Sequence, residues 1–192
     1  TICCDITARV TTGEPWPDDL DANPREPGSV LWLSAEDADD DTLVPRLLAA
    51  GADITRSATL RGAIRVEDDA HYEDELSLPS DIATLETAVR ELGADLVIVD
   101  VLVAYLDDHI NSNSDKQVRR ALRPLGVLAE RTGTAVVALR HFKKSTESKA
   151  TYRGGGSIGI IGAARSGLFA VADPDDETHE RRIFGQQKAS VA

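Results

Sequence analysis

The sequence has no methionine and only two cysteines, adjacent at Cys3 and Cys4. Two neighbouring cysteines build neither a disulfide framework nor a four-ligand metal site, so a reducing cytosol is the expected compartment and the thiols read as small core residues. No apolar run approaches the roughly 18 residues of a membrane span. The opening residues also lack the basic-then-apolar pattern of a signal peptide. Basic residues are scarce, 21 against 33 acidic ones, for a net charge of −12. That balance argues against a generally basic nucleic-acid-binding surface, while leaving room for a local basic loop.

What is present fits one sizeable α/β domain of 192 residues with 42% hydrophobic content. Ile2, Ile6 and Val10 are four apart, the spacing of one helix face, and Gly13 and Pro15 stop the pattern. The chain therefore opens inside a helix. "VLWL" (30–33) reads as a short strand, and "DDDTLVPRLLAAG" as an acidic-started helix ending at Gly51. Residues 57–64 are expected as a short strand, and "VEDDAHYEDELSLPS" as an exposed acidic loop. A helix follows from Ser80, with apolar residues at Ile82, Leu85, Val89 and Leu92. "LVIVD" (96–100) is a continuous apolar run ending in Asp100. A long helix follows, with Pro124 inside it and Gly133 at its end. "TAVVALRH" is a second apolar strand. A basic Gly-rich loop then leads to two final strands, "ARSGLFAVAD" and "RRIFGQQK".

Continuous apolar strands alternating with amphipathic helices predict a mostly parallel sheet flanked by helices, a three-layer α/β/α architecture. Ligands bind such sheets at the carboxyl ends of strands. Three strands deliver ionisable residues to that edge: Glu36 and Asp37, Asp100, then Arg140 and His141. A carboxylate at Asp100 suits Mg²⁺ held through water, and one at Glu36 suits a water to be activated. Taken singly, Asp100 reads equally as an ordinary strand end, whereas for Glu36 the start of the following helix, and for His141 a capped or solvent-facing residue, is the plainer reading.

The stretches "LWLSAEDADDDTLVPRLLAAGAD", "LVIVDVLVAYLDDHINSNSDKQVRRALRPLGVLAERTG", "AVVALRHFKKS" and "YRGGGSIGIIGAAR" resemble, in order, the RecA-like P-loop ATPases, and most closely their RepA-like hexameric helicase branch. The resemblance covers nearly the whole chain and implies ATP and Mg²⁺ as ligands. In that family a strand and a G-x-x-x-x-G-K-[ST] phosphate loop precede the first helix. Neither the motif nor the strand is present in this sequence, so the expected domain, residues 1–192, lacks its first strand at the N-terminus. Thr1 is then expected just after the Mg²⁺-binding hydroxyl. Made as written, the chain is expected neither to fold cooperatively nor to hydrolyse ATP, because a central strand is missing.

The resemblance further implies roles. Glu36 matches the water-polarising glutamate, Asp100 the Mg²⁺-holding acid and His141 the phosphate sensor. Arg165 and Lys188 each resemble a finger that reaches the neighbouring subunit's ATP, and the sequence leaves that choice open. Val101 stands where this branch usually has proline. Lys143, Lys144, Lys149 and Arg153, with Gly154, Gly155 and Gly156, form the one long positive stretch. In ring helicases this segment touches single-stranded DNA, the cations meeting phosphates and the glycines letting backbone approach. Read as a dinucleotide loop, "GGGSIG" would need a strand directly ahead of it, and a charged loop stands there instead. The expected protein is a cytoplasmic homo-oligomer, a hexameric DNA-stimulated ATPase of a mobile element with no membrane association. The alternatives are a RecA-like ATPase that does not unwind DNA and a catalytically dead interaction module.

Overall fold

In the computed structural model the described residues are 2–19, 23–35, 39–67, 70–141, 158–178 and 180–190. Along them run α1 (Ile2–Thr12), β1 (Val30–Ser34), α2 (Val44–Ala49), β2 (Ser57–Thr59), β3 (Gly62–Glu67), β4 (Ala70–Glu75) and α3 (Ile82–Leu92). They continue with β5 (Leu96–Asp100), α4 (Asp115–Thr132), β6 (Ala135–Ala138), α5 (Gly159–Ala163), β7 (Ser166–Ala172) and β8 (Arg182–Ala189). The chain divides into two compact units, one of residues 1–109 and 124–141, the other of 110–123 and 142–192.

The first unit holds a four-stranded parallel sheet in the order β2-β1-β5-β6. Apolar, buried residues at the first four positions of β1 and of β5 fit a sheet covered on both faces. Val30, Trp32, Leu96 and Ile98 share one cluster with Cys3, Cys4 and Ala8 of α1 and with Leu43 and Leu47. The alternating residues Leu31, Leu33, Val97 and Val99 point the other way by strand periodicity and are also buried. Helix α3 and the second half of α4 are the elements left to cover that face. Their Leu85, Val89, Leu125 and Leu128 are buried, and Arg131 of α4 reaches Glu86 of α3 at 3.3 Å. The fold is therefore α/β with a parallel central sheet flanked by helices, as the alternation of patterns predicts. Gly13, Gly51, Gly93 and Gly133 follow the ends of α1, α2, α3 and α4 with positive φ, the conformation that costs glycine least.

Three expectations change. The single strand expected over 57–64 is two strands, β2 and β3. The stretch expected as an acidic loop is instead the second half of an antiparallel hairpin, β3–β4. Acidic residues disfavour strands in general, but both strands present an exposed face, and one cross-strand side chain anchors the other face. Arg65 bonds Asp74 across the hairpin at 3.3 Å and Asp81 at 2.5 and 2.7 Å. Strand β6 was expected to be buried on both faces, yet Ala135 and Ala138 are exposed and Val136 and Val137 half-buried. It is the end strand of the sheet, with β5 as its partner among the described residues.

The second unit contains the two expected final strands, β7 and β8, which pair as an antiparallel hairpin with a register shift at Gly167/Leu168. Its other described parts are α5 and the start of α4. Asn111, Asn113 and Ser114 build that start. Asn111 N–H donates to Gln117 Oε1, Asn113 N–H to Asn111 Oδ1, and Val118 N–H to the Ser114 carbonyl. Asp115 Oδ1 then accepts from Gly159 N–H at the head of α5.

Candidate nucleotide site and candidate finger residues

Parallel pairing sets the level at which the strands end. Ser34 stands opposite Asp100 in the β1–β5 ladder, and Ala35 N–H donates to the Asp100 carbonyl at 2.9 Å. On the other side Leu139 N–H donates to the Val99 carbonyl, and Leu102 N–H returns to the Leu139 carbonyl, both at 2.9 Å. Three neighbouring strands thus finish together, with Asp100 on the middle one. The Asp100–Val101 peptide is cis.

Asp100 is half-exposed and lines a cleft of about 230 Å³ with Ile2, Cys3, Trp32, Arg46 and Leu139 among its walls. The first turn of α1 therefore lies against the strand end. Burial, helped by the nearby Asp100 charge, pushes the Cys3 thiol up to about 11. The thiol stays protonated and unreactive at neutral pH, which supports the reading of Cys3 as a core residue. Trp32 is 2% exposed and its indole N–H has no hydrogen-bond partner among the described residues.

Mg²⁺ is bound in many phosphate sites through one or two carboxylates, with waters and phosphate oxygens completing the shell. A half-exposed carboxylate on a cleft wall fits that demand. Among the described residues no group of three or more His, Cys, Asp or Glu side chains gathers as a ready-made metal cage. One half-exposed carboxylate suits an ion whose other ligands are phosphate oxygens and water.

Arg46 is a cleft residue that the sequence reading did not single out. It sits in α2, ten positions after Glu36, and brings a guanidinium to the same cleft as Asp100. Periodicity gives no sign of it. The available signal was a lone cation following a run of five acids, Glu36, Asp37 and Asp39 to Asp41.

His141 is exposed, two residues past the Leu139 bonds that tie its segment beside β5. Arg140 next to it is half-buried, and desolvation pulls its guanidinium down from the usual arginine range. Thr1, Glu36, Lys143, Lys144, Lys149, Arg153, Gly154, Gly155 and Gly156 lie outside the described residues.

The two finger candidates differ sharply. Arg165, between α5 and β7, is exposed, and its guanidinium makes no hydrogen bond or ion pair among the described residues. Lys188, the other candidate, lies near the end of β8. It is half-buried, and its ammonium donates to the carbonyls of Ile161 at 2.9 Å, Gly162 at 3.3 Å and Ala164 at 2.6 Å.

A parallel α/β sheet with ionisable residues at the carboxyl ends of its central strands is the RecA-like architecture. The chain belongs to the family described as AAA domain, an AAA-type P-loop ATPase family whose model matches residues 1–147. No curated protein matches the chain. Membership makes the protein a nucleotide-binding one of the ATPase type. Among the described residues no helix is long and apolar enough to cross a membrane.

Proposed function

We propose that the protein is the motor domain of a DNA-stimulated ATPase, a replicative-type hexameric helicase of a plasmid, phage or integrated element. The observation that carries this reading is the shared strand edge: Asp100 at the end of β5, with the exits of β1 and β6 bonded on either side of it. That edge, in a chain of an AAA-type ATPase family, gives each residue a task. Asp100 holds Mg²⁺, which when bound neutralises phosphate charge. Glu36, two residues beyond Ser34, accepts a proton from the attacking water. The water oxygen bonds to the γ-phosphorus as the bond to the β–γ bridging oxygen breaks and ADP leaves. His141 hydrogen-bonds the terminal phosphate and reports its loss along its segment. A cation from the neighbouring subunit offsets charge developing in the transition state, and this requires a ring or filament of copies.

The reading also requires a phosphate loop ahead of Thr1. The cleft volume of about 230 Å³ is below the roughly 300–1,000 Å³ of small-molecule sites, in line with a wall supplied by that loop. Residues 140–157 take single-stranded DNA through Lys143, Lys144, Lys149 and Arg153, the glycines 154–156 letting the strand approach. The second reading is an ATPase of the same site that does not unwind DNA. The net charge of −12 favours it, because an acidic protein repels a nucleic-acid backbone overall.

The test is ATP turnover by the intact protein with and without single-stranded DNA. The helicase reading predicts stimulation that falls with salt and is lost in Lys143→Ala/Lys144→Ala while basal turnover persists. Turnover indifferent to DNA selects the second reading, and no turnover in the intact protein removes both.

A further inference from the structure

We infer that Lys188 is the residue that positions Arg165, and that Arg165 alone is the finger; this rests on the ATPase reading above. Two demands on a finger conflict within one side chain. Its head must be available to a phosphate on another subunit, and its base must be fixed so that the head arrives in a productive place. Lys188 meets neither demand as a finger. An ammonium has three protons to donate, and three carbonyls, of Ile161, Gly162 and Ala164, already receive them. Those oxygens belong to the end of α5 and the residue after it, where carbonyls lack partners within the helix. A cation there is also on the favourable side of the helix charge distribution. Reaching outward would strip all three acceptors of their donor at a half-buried position.

The same bonds supply what Arg165 needs. Ala164, immediately before it, is held through its carbonyl by Lys188. The carbonyl of Arg165 itself accepts from Ser190 N–H at 2.9 Å. Ser166, immediately after it, accepts from Gln186 Nε2 at 3.1 Å and donates weakly to the Lys188 carbonyl at 3.4 Å. Strand β8 and Ser190 therefore hold the carbonyls of Ala164 and Arg165 and the Ser166 hydroxyl, while the Arg165 guanidinium stays exposed. Gly167 leaves the clamp uncrowded. It stands opposite Lys188 in the hairpin, and a Cβ there would lie 3.3 Å from both Lys188 Cβ and Ile161 Cδ1. With no side chain at that point, the lysine stem passes over β7 to α5.

Two measurements on the intact protein test this. The first needs no variant: acylation of lysines by a small amine reagent without nucleotide, read by mass spectrometry against exposed Lys116 as the internal standard. Lys188 is expected to react several-fold more slowly than Lys116, and adding a non-hydrolysable ATP analogue is expected to leave its rate unchanged. Equal rates without nucleotide, or protection that appears only with the analogue, overturn the inference. The second is turnover. Lys188→Met is expected to lower kcat about 100-fold, the scale of misplacing a catalytic group by about 1 Å, with KM for ATP unchanged. Arg165→Ala/Lys188→Met is expected to be no slower than Arg165→Ala. A double variant slowed by the product of the two single effects makes Lys188 an independent finger and overturns the proposal. Full turnover in Arg165→Ala would remove the finger assignment itself, and the positioning role with it, whatever the labelling shows. Rapid labelling of Lys188 with Arg165→Ala inactive would remove only the positioning role.

Discussion

Replacing Arg65 with methionine removes the bond that secures the β3–β4 hairpin to the start of α3. The guanidinium holds Asp81 through two short bonds, 2.5 and 2.7 Å. The Asp81 side chain is 4% exposed and that of Arg65 33%. Arg65 is thereby held above its usual range, and Asp81 below the usual carboxylate value, by the hydrogen bonds between them against the opposing effect of burial. Breaking a fully buried pair costs about 3–5 kcal/mol, because a charge is left without a partner. Here the arginine is one-third exposed, so solvent screens the pair, and Asp81 keeps Ser77 N–H at 2.8 Å. The expected loss is therefore about 2 kcal/mol. Asp81→Asn leaves an acceptor for Arg65, which also retains Asp74, so its loss is about 1 kcal/mol. The double variant no longer buries a lone carboxylate and is expected to lose about 1 kcal/mol less than the sum of the two. Urea unfolding of the intact protein reads these values as midpoint shifts, about 1 M for Arg65→Met at a slope near 2 kcal/mol/M. Hydrogen exchange adds the local reading. Leu78 N–H donates to the Tyr105 carbonyl at 2.6 Å and Asp107 N–H to the Leu78 carbonyl at 2.9 Å, and both amides should exchange faster in Arg65→Met. An unchanged midpoint, or strictly additive variants, would refute the reasoning.

The remaining predictions concern acid, glycine and metal. Asp81 and Asp107 both titrate below the usual carboxylate range; for Asp107 burial pushes upward, and the hydroxyls of Ser77 and Ser80 outweigh it. A depressed folded value means their stabilisation is complete above the unfolded value, about 4, and is lost as pH falls through the folded ones. The urea midpoint should be flat on this account from pH 7 to about 5 and fall below about 4, less steeply in Asp107→Asn. Gly13 and Gly51 both have positive φ, but a Cβ at Gly13 would run into the Arg25 carbonyl while one at Gly51 meets nothing within 4 Å. Gly51→Ala should then cost about 1 kcal/mol and Gly13→Ala at least about 2 kcal/mol, as read by thermal melts. Asp100→Asn should raise the Mg²⁺ concentration for half-maximal turnover about 10–100-fold without a matching drop in melting temperature.

The parts of the fold that read directly from sequence are those where one local signal decides the outcome. Leu96–Val99 is apolar at every position, and only a strand covered on both faces gives such a run a place. Gly13 and Gly133 follow helices because the left-handed turn there costs glycine least. Asp100 was legible because β5 is unambiguous, and the residue after its last apolar position must emerge at the sheet edge. The β3–β4 hairpin was not legible. Its second strand, "AHYEDE", carries three acids and no apolar alternation, and what fixes it is Arg65 reaching Asp81, sixteen residues away in sequence. Arg46 was hidden in the same way, since only the packing of α2 beside the sheet brings it to the cleft of Asp100.

Lys188 shows why a residue at a matching place in a family pattern does not by itself carry a role. Sequence gives it a charge and a position at the end of a strand, and both suit a finger. A finger, however, is defined by what its head does not touch at home. That property depends on whether a short helix with orphan carbonyls lies within reach, and on whether the residue opposite leaves room for the stem to cross. Gly159–Ala163 supplies the first and Gly167 the second. Neither can be weighed from the strand that contains Lys188. Arg165 gains the complementary property from the same contacts: β8 and Ser190 take up the carbonyls of Ala164 and Arg165 and leave the Arg165 side chain unengaged among the described residues.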